Sequence, residues 1–391
     1  MKKFNILIFT SGRADFDLLL PLIEKFEKNN TINLTLLVSG SHLSIKHGLT
    51  LDYIKKKHIK NIKKIDIKCD NVTEKNISLI FSNAQVLYAK YFSTLKKKID
   101  ISVILGDRYE VLAFASMCFF SNIPIAHIHG GEITAGAKDD TIRHAITKIS
   151  NLHFVSNIEH KKRVLQLGES KTDVFNCGLL GYENISKLKL FNKEEIENSL
   201  KINFDRKTIL LSYHSVTTLS KIENIFQFKQ VLDSLRLYQK FNIIFTSPNI
   251  DPGNADILRM IKKFIIKHKN AYFFKSLGQK LFLSVAKNSE IFMGNSSSGI
   301  LEVPFLNIPV LNIGNRQKGR FQFIKVSNLS AKKNIIIKSI NIILKKKNKK
   351  LFLKPKLIKN ASLVISRNIL KKLKNKKNIY MTNKIFNDLN H

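Results

Sequence analysis

Apolar residues in this chain come in short, nearly unbroken runs: NILIFT (5–10), INLTLLVSG (32–40), NIKKIDIK (61–68), DISVILG (100–106), IPIAHIHG (123–130) and LHFVS (152–156). Amphipathic, lysine-rich segments long enough for helices separate several of them, such as Phe16–Asn29, Glu74–Lys97 and Tyr109–Phe120. Continuous apolar strands alternating with helices predict a parallel sheet covered on both faces. After DVFNCGLLGYENI (173–185) the text turns polar and helical to about Asn203. The pattern then restarts with TILLSYHS (208–215), FNIIFTSP (241–248), NAYFFKS (270–276), EIFMGNSSSG (290–299) and IPVLNIG (308–314). We therefore expect an α/β chain of two Rossmann-like βαβ domains, 1–180 and 205–335, joined by a linker near 180–205. A lysine-rich helical segment, 336–391, is expected to pack back across the first domain.

Ligands of open α/β sheets collect beyond the carboxyl ends of the strands. The polar text sits there in both halves: SGRAD (11–15), SGSH, GDRYE (106–110) and HGGE…DD in the first, and HSVTT, SPNIDPG, GNSSSG and GNRQKGR in the second. Chemistry at strand ends of both domains predicts a site in a cleft where they face each other. Composition changes this picture little. The net charge is +37, but only 10 of the 66 basic residues are arginine, and the lysines are scattered among abundant isoleucine and asparagine. All three have AT-rich codons, so genomic bias accounts for the excess, and a nucleic-acid partner is not expected. The denser stretches KKKNKK (345–350) and KKLKNKKN (371–378) read as a solvated basic tail. Three cysteines without CxxC spacing argue against a disulfide framework or a cysteine zinc site. No apolar run approaches membrane-spanning length and no signal pattern opens the chain, so no membrane partner and a cytoplasmic location are expected.

The text richest in chemistry is HIHGGEITAGAKDDTIRHAITK (127–148), with Glu132, Asp139, Asp140, three histidines and one arginine. His127 and His129 would share one face of a strand, and with Glu132, Asp139 and Asp140 they could ligate a metal. Two aspartates at a helix start exceed what capping needs, and a glycine-rich loop suits proton transfer. Acid/base work or substrate contact is the preferred reading over metal or capping alone. In GNSSSGILEVP (294–304), Ser296, Ser297 and Ser298 follow a strand and open a helix, a ready phosphate cradle aided by the helix dipole. Glu302, one turn on, could accept hydrogen bonds from ribose hydroxyls. N-capping is the simpler alternative there. Neither GxxxxGK[ST] nor GxGxxG is present.

GDRYEVLAFASM, IPIAHIHGGEITAGAKDDTIRHAITKISNLHFVSN, RVLQLGE and MGNSSSGILEVPFLNIPVLNIGNRQKGR, in that order, closely resemble the hydrolysing UDP-N-acetylglucosamine 2-epimerases, over about residues 3–330. That group includes enzymes acting on nucleotide-linked N,N′-diacetylbacillosamine. The resemblance implies the two-domain GT-B fold, and elimination of UDP to a 2-acetamidoglucal followed by hydration to free N-acetylmannosamine. Either reaction needs a placed base and stabilisation of the leaving diphosphate. It implies acid/base roles for Asp107 and Asp139, with His129 or Glu132 as a second acid/base, since many relatives carry Glu where this chain has His129. Arg13, Arg108 and His214 match contacts near the diphosphate, Asn249 and Arg316 further nucleotide-sugar contacts, and Ser296, Ser297 and Glu302 phosphate and ribose contacts. No cofactor and no metal is implied. A homo-oligomer, dimer or tetramer, is implied, as is precursor supply for a nine-carbon sugar of the sialic or legionaminic acid type. A GT-B glycosyltransferase, a non-hydrolysing epimerase and a polyanion-binding protein are the competing readings.

Overall fold

Two all-parallel sheets account for the apolar runs. The computed structural model describes residues 3–46, 49–70, 72–73, 75–134, 138–248, 253–345, 358–375 and 384–389. The chain divides into unit 1 (Met1–Glu132, Asp139–Glu183 and Leu357–His391) and unit 2 (Ile133–Lys138 and Asn184–Lys356). In chain order the elements running through unit 1 are β1 (Phe4–Thr10), α1 (Arg13–Glu27), β2 (Ile32–Val38), α2 (Leu51–Lys55), β3 (Ile62–Lys64), α3 (Ile77–Ser93), β4 (Ile101–Leu105), α4 (Tyr109–Phe120), β5 (Ile125–Ile128), α5 (Asp139–Ile149), β6 (Leu152–Val155), α6 (Ile158–Gln166), β7 (Val174–Asn176) and α7 (Leu180–Lys187). Unit 2 continues with α8 (Lys193–Leu200), β8 (Thr208–Ser212), α9 (Lys221–Leu235), β9 (Asn242–Thr246), α10 (Asn254–Lys267), β10 (Ala271–Phe274), α11 (Gly278–Lys287), β11 (Ile291–Gly294), α12 (Ser298–Leu301), β12 (Val310–Ile313), β13 (Ser327–Leu329) and α13 (Lys333–Lys345). Helix α14 (Ala361–Lys374) returns to unit 1.

The sheet orders are β3-β2-β1-β4-β5-β6-β7 and β10-β9-β8-β11-β12-β13. Counted from its own first strand, each follows the doubly wound 3-2-1-4-5-6 order, with its switch point between β1 and β4 or between β8 and β11. Successive strand side chains point to opposite faces, and β1 shows it. Ile6 and Ile8 join the cluster with Phe16 and Leu19 of α1 and Ile365 and Ile369 of α14. Leu7 and Phe9 join Ala84 and Tyr88 of α3 and Phe114 of α4. Unit 2 repeats the scheme. Ile209 and Leu211 pack with Phe228 of α9 and Ile336 of α13, whereas Leu210 packs with Ile196 of α8 and Val285 of α11. Fully burying an aliphatic side chain contributes about 1.5–3 kcal/mol, so these two-sided strands hold their register and their ends firmly.

The expected strands all appear, β1 starting one residue early and the others trimmed by up to six residues. β7 and β13 were not expected. Both are three-residue edge strands, and β13, Ser-Asn-Leu, is exposed or half-buried throughout. The sequence also predicts His127 and His129 on one strand face, but only His127 lies on the strand. β5 ends at Ile128, and His129 has left-handed backbone (φ 67°) while its N–H donates to the Phe154 carbonyl. Among the described residues, no helix is long and apolar enough to cross a membrane.

Candidate active site

Unit 1 gathers ionisable groups at the carboxyl ends of β1, β4 and β5. Gly12 N-caps α1, and Asp15 turns back to accept the N–H groups of Ser11 (2.8 Å) and Gly12 (2.8 Å) and the Thr10 hydroxyl (3.1 Å). Burial pushes the Asp15 carboxyl up to about 6 against those donors. Arg13, the first residue of α1, is braced by Asp17 (3.5 Å) and by the Tyr53 ring, 4.9 Å from its guanidinium carbon. Past β4, Arg108 N-caps α4 and lays its guanidinium on the Glu110 carboxylate, with three N–H···O contacts of 3.1–3.3 Å.

Between these, Asp107 is ion-paired with Arg143, a residue to which the sequence reading gave no role. Arg143 is 1% exposed. It also donates to the Glu132 carbonyl (2.8 Å) and to Asp140 (3.3 Å). Burial alone would lower its pKa, but Asp107, Glu132 and Asp140 outweigh burial and raise it, so it stays a cation. One guanidinium thus ties the end of β4, the loop after β5 and the first turn of α5 together. The only sequence signal was its spacing, three residues after Asp140 and four after Asp139 on one helix face. Asp139 opens α5 as expected.

The two histidines have different surroundings. His127, fully buried, meets the Gly106 carbonyl through Nε2 (2.9 Å) and the Thr147 hydroxyl through Nδ1 (3.2 Å), and burial lowers its pKa to about 3. His129 has its Nδ1 3.3 Å from Glu132, and both side chains are buried. Among the described residues, no group of three His, Cys, Asp and Glu comes together in a way that could hold a metal ion.

In unit 2 the corresponding strand ends are held by amides. Asn295, just past β11, accepts the His214 N–H (2.8 Å) and donates to the His214 carbonyl (2.8 Å). Asn254 accepts the Ser215 N–H (2.7 Å), and Asn224 accepts that of Val216 (2.7 Å) and donates to its carbonyl (3.0 Å). Three successive backbone amides after β8 are therefore each held by an asparagine side chain. His214 is buried, and burial, then the charge of Arg316, lower its pKa well below 6.5. Arg316 and Gln317 both donate to the Asn295 carbonyl (3.2 and 3.0 Å).

Gly294 has φ 134°, and a Cβ there would lie 1.9 Å from the Ser212 carbonyl oxygen. Only glycine lets β11 end against β8 in this way. The serines that follow form a tight turn, with the Ser296 and Ser298 hydroxyls 2.9 Å apart and Ser297 at the N-cap position of α12 without a side-chain capping bond. The sequence predicts a helix with a useful dipole here. α12 has four residues and gives way to a 3-10 turn at Val303–Leu306, because Pro304 cannot continue an i→i−4 ladder. Any anion held here would rely on hydroxyl and N–H groups more than on a macrodipole. Glu302 closes α12, its N–H donating to the Ser298 carbonyl (3.0 Å). Asn249 lies outside the described residues.

A family model described as UDP-N-acetylglucosamine 2-epimerase matches residues 24–380. A Campylobacter jejuni protein named GDP/UDP-N,N′-diacetylbacillosamine 2-epimerase (hydrolyzing) is 39% identical over 323 residues, covering 82% of this chain and 83% of the relative. An Escherichia coli protein named polysialic acid biosynthesis protein P7 is 35% identical over 343 residues, 88% of this chain and 86% of that one. The crystal structure of a Neisseria meningitidis UDP-GlcNAc 2-epimerase bound to UDP-GlcNAc superposes with a TM-score of 0.78 at 19% identity, over 94% of this chain and all of that one. Two Rossmann-like parallel-sheet units are thus shared with that fold. The chain belongs to the UDP-N-acetylglucosamine 2-epimerase family, a family of enzymes.

Proposed function

We propose that this family member is a hydrolysing 2-epimerase of a nucleotide-linked 2-acetamido sugar, releasing the free sugar inverted at C2 together with the nucleoside diphosphate. The observation that carries the reading is the convergence of Asp107, Asp140 and the Glu132 carbonyl on the buried Arg143 guanidinium. It holds carboxylates rigidly, which deprotonation of a weakly acidic C–H requires. A base removes the C2 proton as the diphosphate leaves C1, giving a 2-acetamidoglycal with its double bond between C1 and C2. Water then adds, its oxygen to C1 and a proton to the opposite face of C2.

In this proposal Asp107 and Asp139 are the acid/base residues. The second acid/base belongs to the His129–Glu132 pair, whose side chains lie 3.3 Å apart. Arg13 and Arg108 offset charge on the diphosphate. His214, kept neutral by burial and Arg316, contacts it without adding charge. Ser296 and Ser297 bind phosphate oxygens, Glu302 the ribose, and Arg316 and Asn249 further parts of the nucleotide sugar.

For the sugar, we put UDP- or GDP-linked N,N′-diacetylbacillosamine first, supported by the name of the 39% identical relative. UDP-N-acetylglucosamine, the first candidate of the sequence reading, comes second, supported by the description of the family model. A role in nine-carbon sugar supply is supported by the name of the Escherichia coli relative. The test is incubation of each nucleotide sugar with the protein in heavy water, followed by proton NMR. Free 2-epimerised sugar carrying deuterium at C2, with free nucleotide, is expected from one of them. No release of free sugar from any of the three overturns the reading.

A further inference from the structure

Helix α5 carries Asp139, Asp140 and Arg143 in its first turn and a half, and its far end is held by a segment remote in sequence. Lys384 donates through Nζ to the carbonyls of Lys148 (2.5 Å) and Ser150. These carbonyls lie at and just past the C-terminus of α5, where helical acceptors lack partners and a cation is favoured. The same ammonium lies 2.8 Å from Glu169, which also meets Lys148 (3.1 Å) and His153 (2.9 Å). Burial pushes the Glu169 carboxyl up, but His153 and Lys384 outweigh burial and hold it at about 2. The segment is seated by two further contacts. The Phe386 ring covers Gly168, where a Cβ would meet it at 2.4 Å, and lies 4.7 Å under the Lys148 ammonium. The Asn387 N–H donates to the Gly168 carbonyl at 3.0 Å.

We propose that Lys384 is a positioning residue for the reaction: by capping the C-terminal end of α5, it fixes where Asp139, Asp140 and Arg143 are presented at the other end. The inference rests on the reading of Asp139 and its neighbours given above. Nine residues separate Asp139 from Lys148, or roughly 14 Å along the axis. A short helix tied at one end by two carbonyl bonds and at the other by the Arg143 pairs moves as one body. Loosening one end therefore displaces the other, and small misplacement is costly in a proton-transfer site. An anchor that only adds stability would lower the melting temperature and leave turnover of the folded enzyme unchanged.

The test compares full-length wild type with Lys384→Met, Lys384→Arg and Phe386→Ala on whichever nucleotide sugar the wild type accepts. Amide hydrogen exchange is followed in parallel over 139–150. Lys384→Met is expected to lower kcat about 10-fold with KM within about 2-fold, and to speed exchange at 139–144 as well as at 145–150. Lys384→Arg, which can still donate to the carbonyls, should restore kcat to within about 3-fold. Wild-type kcat in folded Lys384→Met, or faster exchange confined to 145–150, overturns the proposal. Should Lys384→Met not fold, Phe386→Ala, which loosens the segment but keeps the ammonium, decides by the same two readouts. A wild type without turnover on any of the three nucleotide sugars defeats the proposed function instead, and the exchange measurement alone then decides the role of Lys384.

Discussion

At the ends of β1, β4 and β5, unit 1 ties its loops with ion pairs, Arg143 to Asp107 and Asp140, and Arg108 to Glu110. At the ends of β8 and β11, unit 2 holds three successive backbone groups with uncharged amides, Asn295, Asn254 and Asn224, and Arg316 adds a charged donor to the Asn295 carbonyl. The same doubly wound topology thus carries two kinds of chemistry. Ionised side chains hold geometry and can also exchange protons, at the cost of sensitivity to pH and to loss of a partner. Amides hold geometry only. On the proposed function, the difference assigns proton transfer to unit 1 and nucleotide holding to unit 2.

The largest effect that would break this contrast is catalytic. Asp107→Asn and Asp139→Asn should each lower turnover about 1,000-fold while calorimetric UDP affinity stays within about 2-fold. Wild-type rates in either would remove unit 1 from the chemistry. Next, Arg143→Met leaves the Asp107 and Asp140 carboxylates without their cation, and chemical denaturation should show a loss of about 3 kcal/mol. A neutral result would mean that the ion pairs hold nothing. Asn295→Ala removes both bonds to His214 and should cost about 2 kcal/mol, read by the same denaturation, with hydrogen exchange rising after β8 and not after β4.

The smallest effect separates the units by pH. His42, His127 and His160 of unit 1 are held near 3, 3 and 4 by burial, whereas His214 is the histidine of unit 2 with a lowered pKa among the described residues. A depressed imidazole contributes fully above its unfolded value near 6.5 and loses that contribution as the pH falls, by up to about 1.4 kcal/mol per pH unit per group. Asp15, raised to about 6, has the opposite sign. Its contribution is present below about 4 and lost as the pH rises through 6, so it and the likewise raised Asp17 offset part of the loss from the lowered histidines, which in unit 1 also include His144 and His153. Exchange measured between pH 6.5 and 4.5 should rise faster in unit 1 than in unit 2. Equal rates would erase the distinction.

Much of this was legible because both sheets are buried on two faces, so their strands read as continuous apolar text. The placement of Arg13, Asp107, Arg108, His214 and the serines at strand ends followed from that rule. β7 and β13 escaped because short edge strands bury little and need no apolar pattern. Arg143 escaped for a different reason. Its helical spacing from the aspartates was visible, but its pairing with Asp107 depends on β4 ending beside the start of α5, which is a property of sheet order. His129 was misread because strand alternation was extended one residue past the strand, into a left-handed turn.

The return of α14 to unit 1 sets an order of events during synthesis. Ala361, Ile365, Ile369 and Leu373 belong to the same core as Ile6, Phe16 and Leu19, yet the whole of 184–356 is made in between. At about 5–20 residues per second, some ten to forty seconds pass between the emergence of residue 183 and that of α14. Throughout that interval the face of the first sheet that carries α1 lacks α14, and unit 2 is still being made. Until α14 emerges, the nascent chain leaves open the apolar surface that this helix covers in the finished fold, and exposed apolar surface promotes aggregation.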